Sequence, residues 1–119
     1  MPQPVLTEIR DRNHLQTILQ TNPGKIVIKF GAEWCGPCKT IEPLVNQWFA
    51  HLPDHIQGYI IDVDECFDVY AFLKTKKVVN GIPAIICYHE GNVTPFPDGV
   101  VIGADVNQVN SFFQKVLSA

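Results

Sequence analysis

The stretch Trp34-Cys35-Gly36-Pro37-Cys38-Lys39 places two cysteines three positions apart. An apolar, β-prone run from Ile26 to Phe30 precedes it, and apolar residues at helical spacing follow it: Ile41, Leu44, Val45, Trp48 and Phe49. The pair is therefore predicted to lie where a strand turns into a helix. Free N–H groups and the dipole at a helix N-terminus stabilise a thiolate, and two cysteines at this spacing can close a disulfide. The pattern thus predicts thiol–disulfide exchange.

The composition is that of one globular domain, residues 1–119. The chain has 119 residues, of which 46% are hydrophobic and 18% charged, so it can bury a core without structural disulfides. A net charge of −3 and the lack of a dense Lys/Arg cluster argue against a nucleic-acid partner. The apolar runs are too short to span a membrane. Met1 to Val5 has neither the basic region nor the apolar core of a signal peptide, so we expect a cytoplasmic protein with free or catalytic cysteines.

The first half of the chain alternates strand and helix patterns. Residues 5–7 could form a short edge strand, and Asp11 is a candidate N-cap for a helix through about Gln20. The run 26–30 and the helix after Cys35 come next. A second central strand is predicted over 59–63, and a helix over about 68–76.

The second half reads as an antiparallel hairpin and a covering helix. Strands are predicted over 84–88 and 100–102, with a turn at Glu90-Gly91-Asn92. The last helix is expected to begin near Asp105. The whole order indicates an α/β architecture: one mixed sheet, with a parallel half and an antiparallel hairpin, flanked by four helices.

A zinc knuckle or an inert structural pair is the alternative explanation of the two close cysteines. Zinc would need two further ligands, and Cys66, Cys87 and the four histidines form no second close pair. We therefore predict no metal site.

At this point the chain resembles the thioredoxin family. The landmarks are Ala32-Glu33-Trp34-Cys35-Gly36-Pro37-Cys38-Lys39, Pro43 within the following helix, Ile61-Asp62-Val63-Asp64 at a strand end, Gly81-Ile82-Pro83 before a strand, the Gly91 turn and Gly103-Ala104 before the last helix. They occur in the family's order over roughly residues 5 to 118. The resemblance implies the thioredoxin fold and a protein-disulfide reductase.

The resemblance also implies roles for individual residues. Cys35 would be the nucleophile and Cys38 the resolving cysteine, with Gly-Pro between them typical of reductants. The residues implied in substrate binding are Trp34, Gly36, Pro37, Ile82, Pro83 and Gly103, with Pro83 in a cis peptide bond. The exchange would need no bound cofactor, because the cysteines hold the electrons and a thioredoxin reductase would resupply them.

Three departures from the family pattern surround the motif. Lys29 stands where the family usually has a buried Asp, and Ile60 where that residue's Lys partner would lie. Lys29 either extends to the surface or stays near the thiols, where a cation would favour the thiolate. Proton transfer from Cys38 then needs another base, such as water or Glu33. Gly31 replaces a usual Trp, which loosens the packing behind the loop. The third departure is the segment 64–83, which is about one helical turn longer than is common in the family and would give the substrate groove a different wall.

Cys66 follows an acidic segment much as an extra, regulatory cysteine does in animal members of the family. It is either regulatory or a passive thiol near the surface. Cys87, in a predicted central strand, is expected to be a buried apolar residue.

Two functions remain open at the level of sequence, since the missing signal peptide and the Gly-Pro dipeptide disfavour a third, an isomerase or oxidant in an export compartment. The first is a monomeric reductase that acts on disulfide-containing proteins and is itself reduced by a reductase. The second is an interaction or chaperone module with a weak or regulatory redox pair, favoured by the missing polar pair at Lys29 and Ile60. The intact Cys-Gly-Pro-Cys motif argues for the first.

Overall fold

Residues 3–118 are described by the computed structural model, and they form four strands and four helices. The strands are β1 (Lys25–Gly31), β2 (Ile56–Asp62), β3 (Ala84–His89) and β4 (Gly99–Ile102). The helices are α1 (Arg12–Gln20), α2 (Gly36–Ala50), α3 (Phe67–Thr75) and α4 (Val106–Leu117). Within residues 3–118, no helix is long and apolar enough to cross a membrane.

The strands form one mixed sheet in the order β2-β1-β3-β4. β1 and β2 are parallel, whereas β3 is antiparallel to both β1 and β4. The predicted parallel half, antiparallel hairpin and four flanking helices are therefore confirmed. β1 occupies a central position, so the segment that leaves its end enters α2 from the middle of the sheet.

Two helices begin at acidic N-caps: Asp11, the predicted cap, and Asp105, near which the last helix is expected to begin. The Asp11 carboxylate accepts a hydrogen bond from the His14 N–H at 2.8 Å, and the Asp105 carboxylate accepts one from the Gln108 N–H at 3.0 Å. Each bond satisfies a backbone donor that the helix itself leaves unpaired. Pro43 lies inside α2, where the resemblance places it.

The structure differs from the predicted strands at two places, the start of β2 and residues 5–7. β2 begins at Ile56, three residues before the predicted Tyr59, because Lys25 pairs with Ile56 and Ile26 with Gln57 along the parallel ladder. Pairing with β1 overrides the weak strand preference of this polar and Gly-containing start. The predicted edge strand over 5–7 is reduced to a single bridge between Leu6 and Tyr59.

The two faces of the sheet bury separate apolar clusters. Side chains alternate along β1, so Ile28 and Phe30 pack with α1 and α3, whereas Val27 packs with α2 and α4. Lys29 and Gly31 share the face of Val27. That alternation aims Lys29 at the N-terminal part of α2, where the cysteine pair lies.

Candidate active site

Cys35 and Cys38 are joined by a disulfide across the first turn of α2. Their Cα atoms are 5.3 Å apart. Cys35 is the N-cap of the helix, and its Sγ accepts a hydrogen bond from the Cys38 N–H at 3.1 Å. The cysteines are only 4% and 3% exposed. The helix therefore directs an N–H group at the sulfur that would carry the thiolate charge after reduction.

The Gly36-Pro37 dipeptide forms the start of α2. Both residues are exposed, and Pro37 occupies the first turn of the helix. Backbone N–H groups in the first turn have no intrahelical partner, so proline, which lacks an N–H, is well tolerated there. The two intervening residues thus let the helix begin directly at the nucleophile.

The loop before β3 lies against the disulfide. The peptide bond between Ile82 and Pro83 is cis, as the resemblance implies. The Ile82 carbonyl oxygen is 3.9 Å from the Cys35 Sγ. The Gly103 N–H donates to the Pro83 carbonyl at 2.8 Å, and Gly103 has a φ of 102°, a conformation that favours glycine. Three of the predicted site residues therefore meet beside Cys35.

Trp34 is exposed to solvent over 70% of its surface, so it is not a core residue. Its indole Nε1–H donates to the carboxylate of Asp64, two residues after the end of β2, at 2.8 Å. This bond orients an otherwise free ring next to the disulfide, where it offers apolar contact area.

A cavity of about 460 Å³ lies beside Cys38, which is one of its lining residues. Lys29, Gly31, Glu33 and Ile60 are among its lining residues. Lys29 is 5% exposed, and its Cε and the Cys38 Sγ both lie within 4 Å of the position that a Gly31 Cβ would take, so of the two placements that the sequence leaves open the stem has the one near the thiols. Ile60 lies directly beside it on β2, so the family's usual polar pair is replaced here by a lysine and an apolar side chain.

Of the remaining cysteines, neither is bonded to another. Cys66 is 6% exposed and packs in the cluster beneath α1 and α3, so the expectation of a thiol near the surface is wrong. Its regulatory role stays a prediction. Cys87 is 1% exposed, as expected, and burial raises the pKa of its thiol to about 11.

Within residues 3–118, no group of three or more His, Cys, Asp and Glu side chains is placed to hold a metal ion.

Sequence reasoning missed two residues of the site. Asp64, which holds Trp34, appears only as part of a strand-end landmark. Glu42 lines the cavity beside Cys38, four positions further along the helix. That i, i+4 spacing is a signal that could have found it.

Comparison with known proteins gives a consistent result. The family model for thioredoxin matches residues 5–115. Thioredoxin-2 of Saccharomyces cerevisiae is 32% identical over 87 residues, which cover 73% of this chain and 79% of that protein. Thioredoxin H8 of Arabidopsis thaliana is 30% identical over 116 residues, 94% of this chain and 74% of that protein. The solved structure of the thioredoxin NaTrxh from Nicotiana alata superposes with a TM-score of 0.71 at 27% identity, over 97% of this chain and 94% of the other.

The fold and the cysteine pair define a thiol–disulfide oxidoreductase with an intrinsic redox centre. The chain belongs to the thioredoxin family and has the thioredoxin fold.

Proposed function

We propose that this protein reduces disulfides in other proteins, with Cys35 as nucleophile and Cys38 as resolving cysteine. The observation that carries the proposal is the asymmetry of the pair. Cys35 is the helix N-cap and its sulfur accepts the Cys38 N–H, whereas Cys38 lies within the first turn, facing the cavity. A thiolate is the reactive form in exchange, so the sulfur with the N–H donor is the better attacking group.

The reaction follows from this arrangement. The Cys35 thiolate attacks one sulfur of a substrate disulfide, forming a mixed disulfide and releasing the other substrate sulfur as a thiolate. Cys38 loses its proton and attacks the Cys35 sulfur, which forms the Cys35–Cys38 bond and releases the second substrate sulfur. Two electrons pass from the cysteine pair to the substrate. A reductase then returns two electrons to the pair.

The residues around Cys35 supply a seat for the substrate. Trp34 gives an exposed aromatic surface, and the segment of Ile82 and Pro83 lies opposite, supported by the hydrogen bond from Gly103. An extended substrate segment placed between them would bring its disulfide onto the Cys35 sulfur. We assign substrate binding to these residues and to the exposed Gly36-Pro37 turn.

The test is insulin reduction with dithiothreitol as the electron source. We expect activity in the wild type and none in Cys35→Ser or Cys38→Ser. Cys66→Ala is the control, because it removes a buried thiol that is not part of the Cys35–Cys38 disulfide. Equal activity in wild type and Cys35→Ser would refute the proposal.

A trapping experiment separates a reductase from an interaction module. In Cys38→Ser the mixed disulfide cannot be resolved, so a reductase should accumulate disulfide-linked proteins that dithiothreitol releases. A partner held without a covalent bond, and held equally well by Cys35→Ser, would support the interaction module instead.

A further inference from the structure

Lys29 is a buried charged side chain that takes no part in the exchange steps described above. It lies in the middle of the central strand β1, between Ile60 on one neighbouring strand and Ile85 on the other. It is 5% exposed, and within residues 3–118 its ammonium group has neither a hydrogen bond nor an ion pair within 4 Å, although its nitrogen keeps some contact with solvent. Lysine is rarely buried without a partner, because removing the charge from water is unfavourable. The position therefore calls for an explanation.

Gly31 brings Lys29 close to the inner sulfur. A Cβ atom built on Gly31 would lie 3.5 Å from the Cys38 Sγ and 3.7 Å from the Lys29 Cε. The sulfur and the end of the lysine stem thus border the same gap, the space left by a missing side chain. Both residues also line the cavity of about 460 Å³.

The other charged groups of that cavity lie nearer to solvent. Burial lowers the pKa of Lys29, an effect that the negative charge of Glu42 partly opposes. Asp62 is half-buried, and its carboxylate already accepts the N–H groups of Asp64 and Glu65. The exposed charged residues lining the cavity are Glu33, Lys39, Glu42 and Glu65. Lys29 is therefore the charge that is both buried and adjacent to Cys38, and its field there is weakened least by water.

We propose that the Lys29 ammonium stabilises the Cys38 thiolate and thereby raises the reduction potential of the Cys35–Cys38 pair. The inference rests on the proposed function and assigns Lys29 as a positioning residue that acts through Cys38. The proton of Cys38 leaves through the cavity to solvent, and the thiolate attacks the mixed disulfide. Because the cation interacts with the thiolate and not with the neutral disulfide, it stabilises the reduced form relative to the oxidised form.

The direct test compares the redox equilibrium of full-length wild type and Lys29→Met in glutathione buffers of known ratio. We expect the disulfide to be favoured about tenfold more in Lys29→Met, which lowers the potential by about 30 mV for two electrons. Lys39→Met removes an exposed charge from the same cavity and should shift the equilibrium less than twofold. Lys29→Arg keeps the cation and should stay near the wild-type value.

The second readout is the ionisation of Cys38 itself. The alkylation of Cys38 is followed against pH in a Cys35→Ser background by mass spectrometry of the peptide. Its midpoint should rise by about one pH unit in Lys29→Met. Because Ile60 and Ile85 flank the position, Lys29→Met should fold, and circular dichroism checks this. Lys29→Gln is the second neutral variant if the first is unstable.

An unchanged potential and an unchanged Cys38 midpoint in a folded neutral variant would overturn the inference. Slower resolution at an unchanged potential would also overturn it, since that result assigns Lys29 to proton transfer. Both results leave the proposed function intact. A wild type that does not exchange with glutathione at all would instead refute the proposed function.

Discussion

The gap at Gly31 predicts that Gly31→Ala raises the free energy of unfolding, because of the contacts that a methyl group would make there. Gly31 is buried at the end of β1, and it is not among the glycines with positive φ. A Cβ there would contact the Cys38 side chain at 3.5 and 3.6 Å and the Lys29 Cε at 3.7 Å, which are ordinary van der Waals distances. Gly31→Ala should therefore fill space without a clash.

The magnitude follows from two favourable contributions. The substitution lowers the backbone entropy of the unfolded chain, an effect of about 0.4–1 kcal/mol, and buries a methyl group worth up to about 0.8 kcal/mol. Since the cavity stays partly open, we expect a net stabilisation of about 1 kcal/mol. For a domain of this size, that raises the thermal midpoint by about 4 °C.

The assay is thermal unfolding of the oxidised protein followed by far-ultraviolet circular dichroism. Gly24→Ala is the matched control. Its Cβ would lie 2.6 Å from the His55 carbonyl oxygen, which accepts the Lys25 N–H at 2.9 Å at the start of the β1–β2 pairing. That backbone must shift, so Gly24→Ala should destabilise by about 1–3 kcal/mol. A lower midpoint for Gly31→Ala, or equal effects at both glycines, would contradict the packing argument.

Three further predictions concern the core, a buried thiol and a surface ion pair. Phe113→Ala should destabilise the fold by about 3–5 kcal/mol, because the fully buried ring packs against three other aromatic rings, whereas Phe67→Ala, 69% exposed, should change stability by less than about 0.5 kcal/mol in urea unfolding. Cys87, whose pKa is raised to about 11 by burial, should stay unlabelled by iodoacetamide at pH 8 in the native protein and become labelled in urea; native labelling would contradict its placement. Hydrogen bonds from Arg12 lower the pKa of Asp68, so the stability they contribute is present above the unfolded value of about 3.9 and is lost as the pH falls through the folded value. Asp68→Asn should thus lower the thermal midpoint more at pH 7 than at pH 3, and an equal loss at both would exclude the linkage.

Much of the architecture was predictable because local signals agreed with the tertiary fold. Asp11 and Asp105 cap their helices through local hydrogen bonds, so a local pattern can predict them. The strand–cysteine–helix order is predicted by the change from strand to helical spacing of the apolar residues after Phe30. The cis bond before Pro83 is different. Only the family resemblance predicted it, since isolated sequence favours trans.

The predictions for the start of β2 and for the exposure of Cys66 were wrong, because strand pairing and core packing determine these two features. The first residues of β2 gain their strand conformation from the ladder with β1, and Cys66 is buried because α3 turns it toward the core. Neither effect is visible in a local pattern, because each depends on residues far away in the chain.

Local sequence patterns are enough to predict the reactive centre, since they place two thiols at a helix start and encode the scaffold in the apolar periodicity. The surroundings of that pair depend on how the strands and helices pack. The alternation of β1 sets Lys29 and Gly31 on one face, and the packing of α2 on that face brings the Cys38 sulfur to the same gap. The local field at Cys38 is a property of that packing, because electrostatic interactions depend on distance and burial, which no stretch of sequence specifies alone.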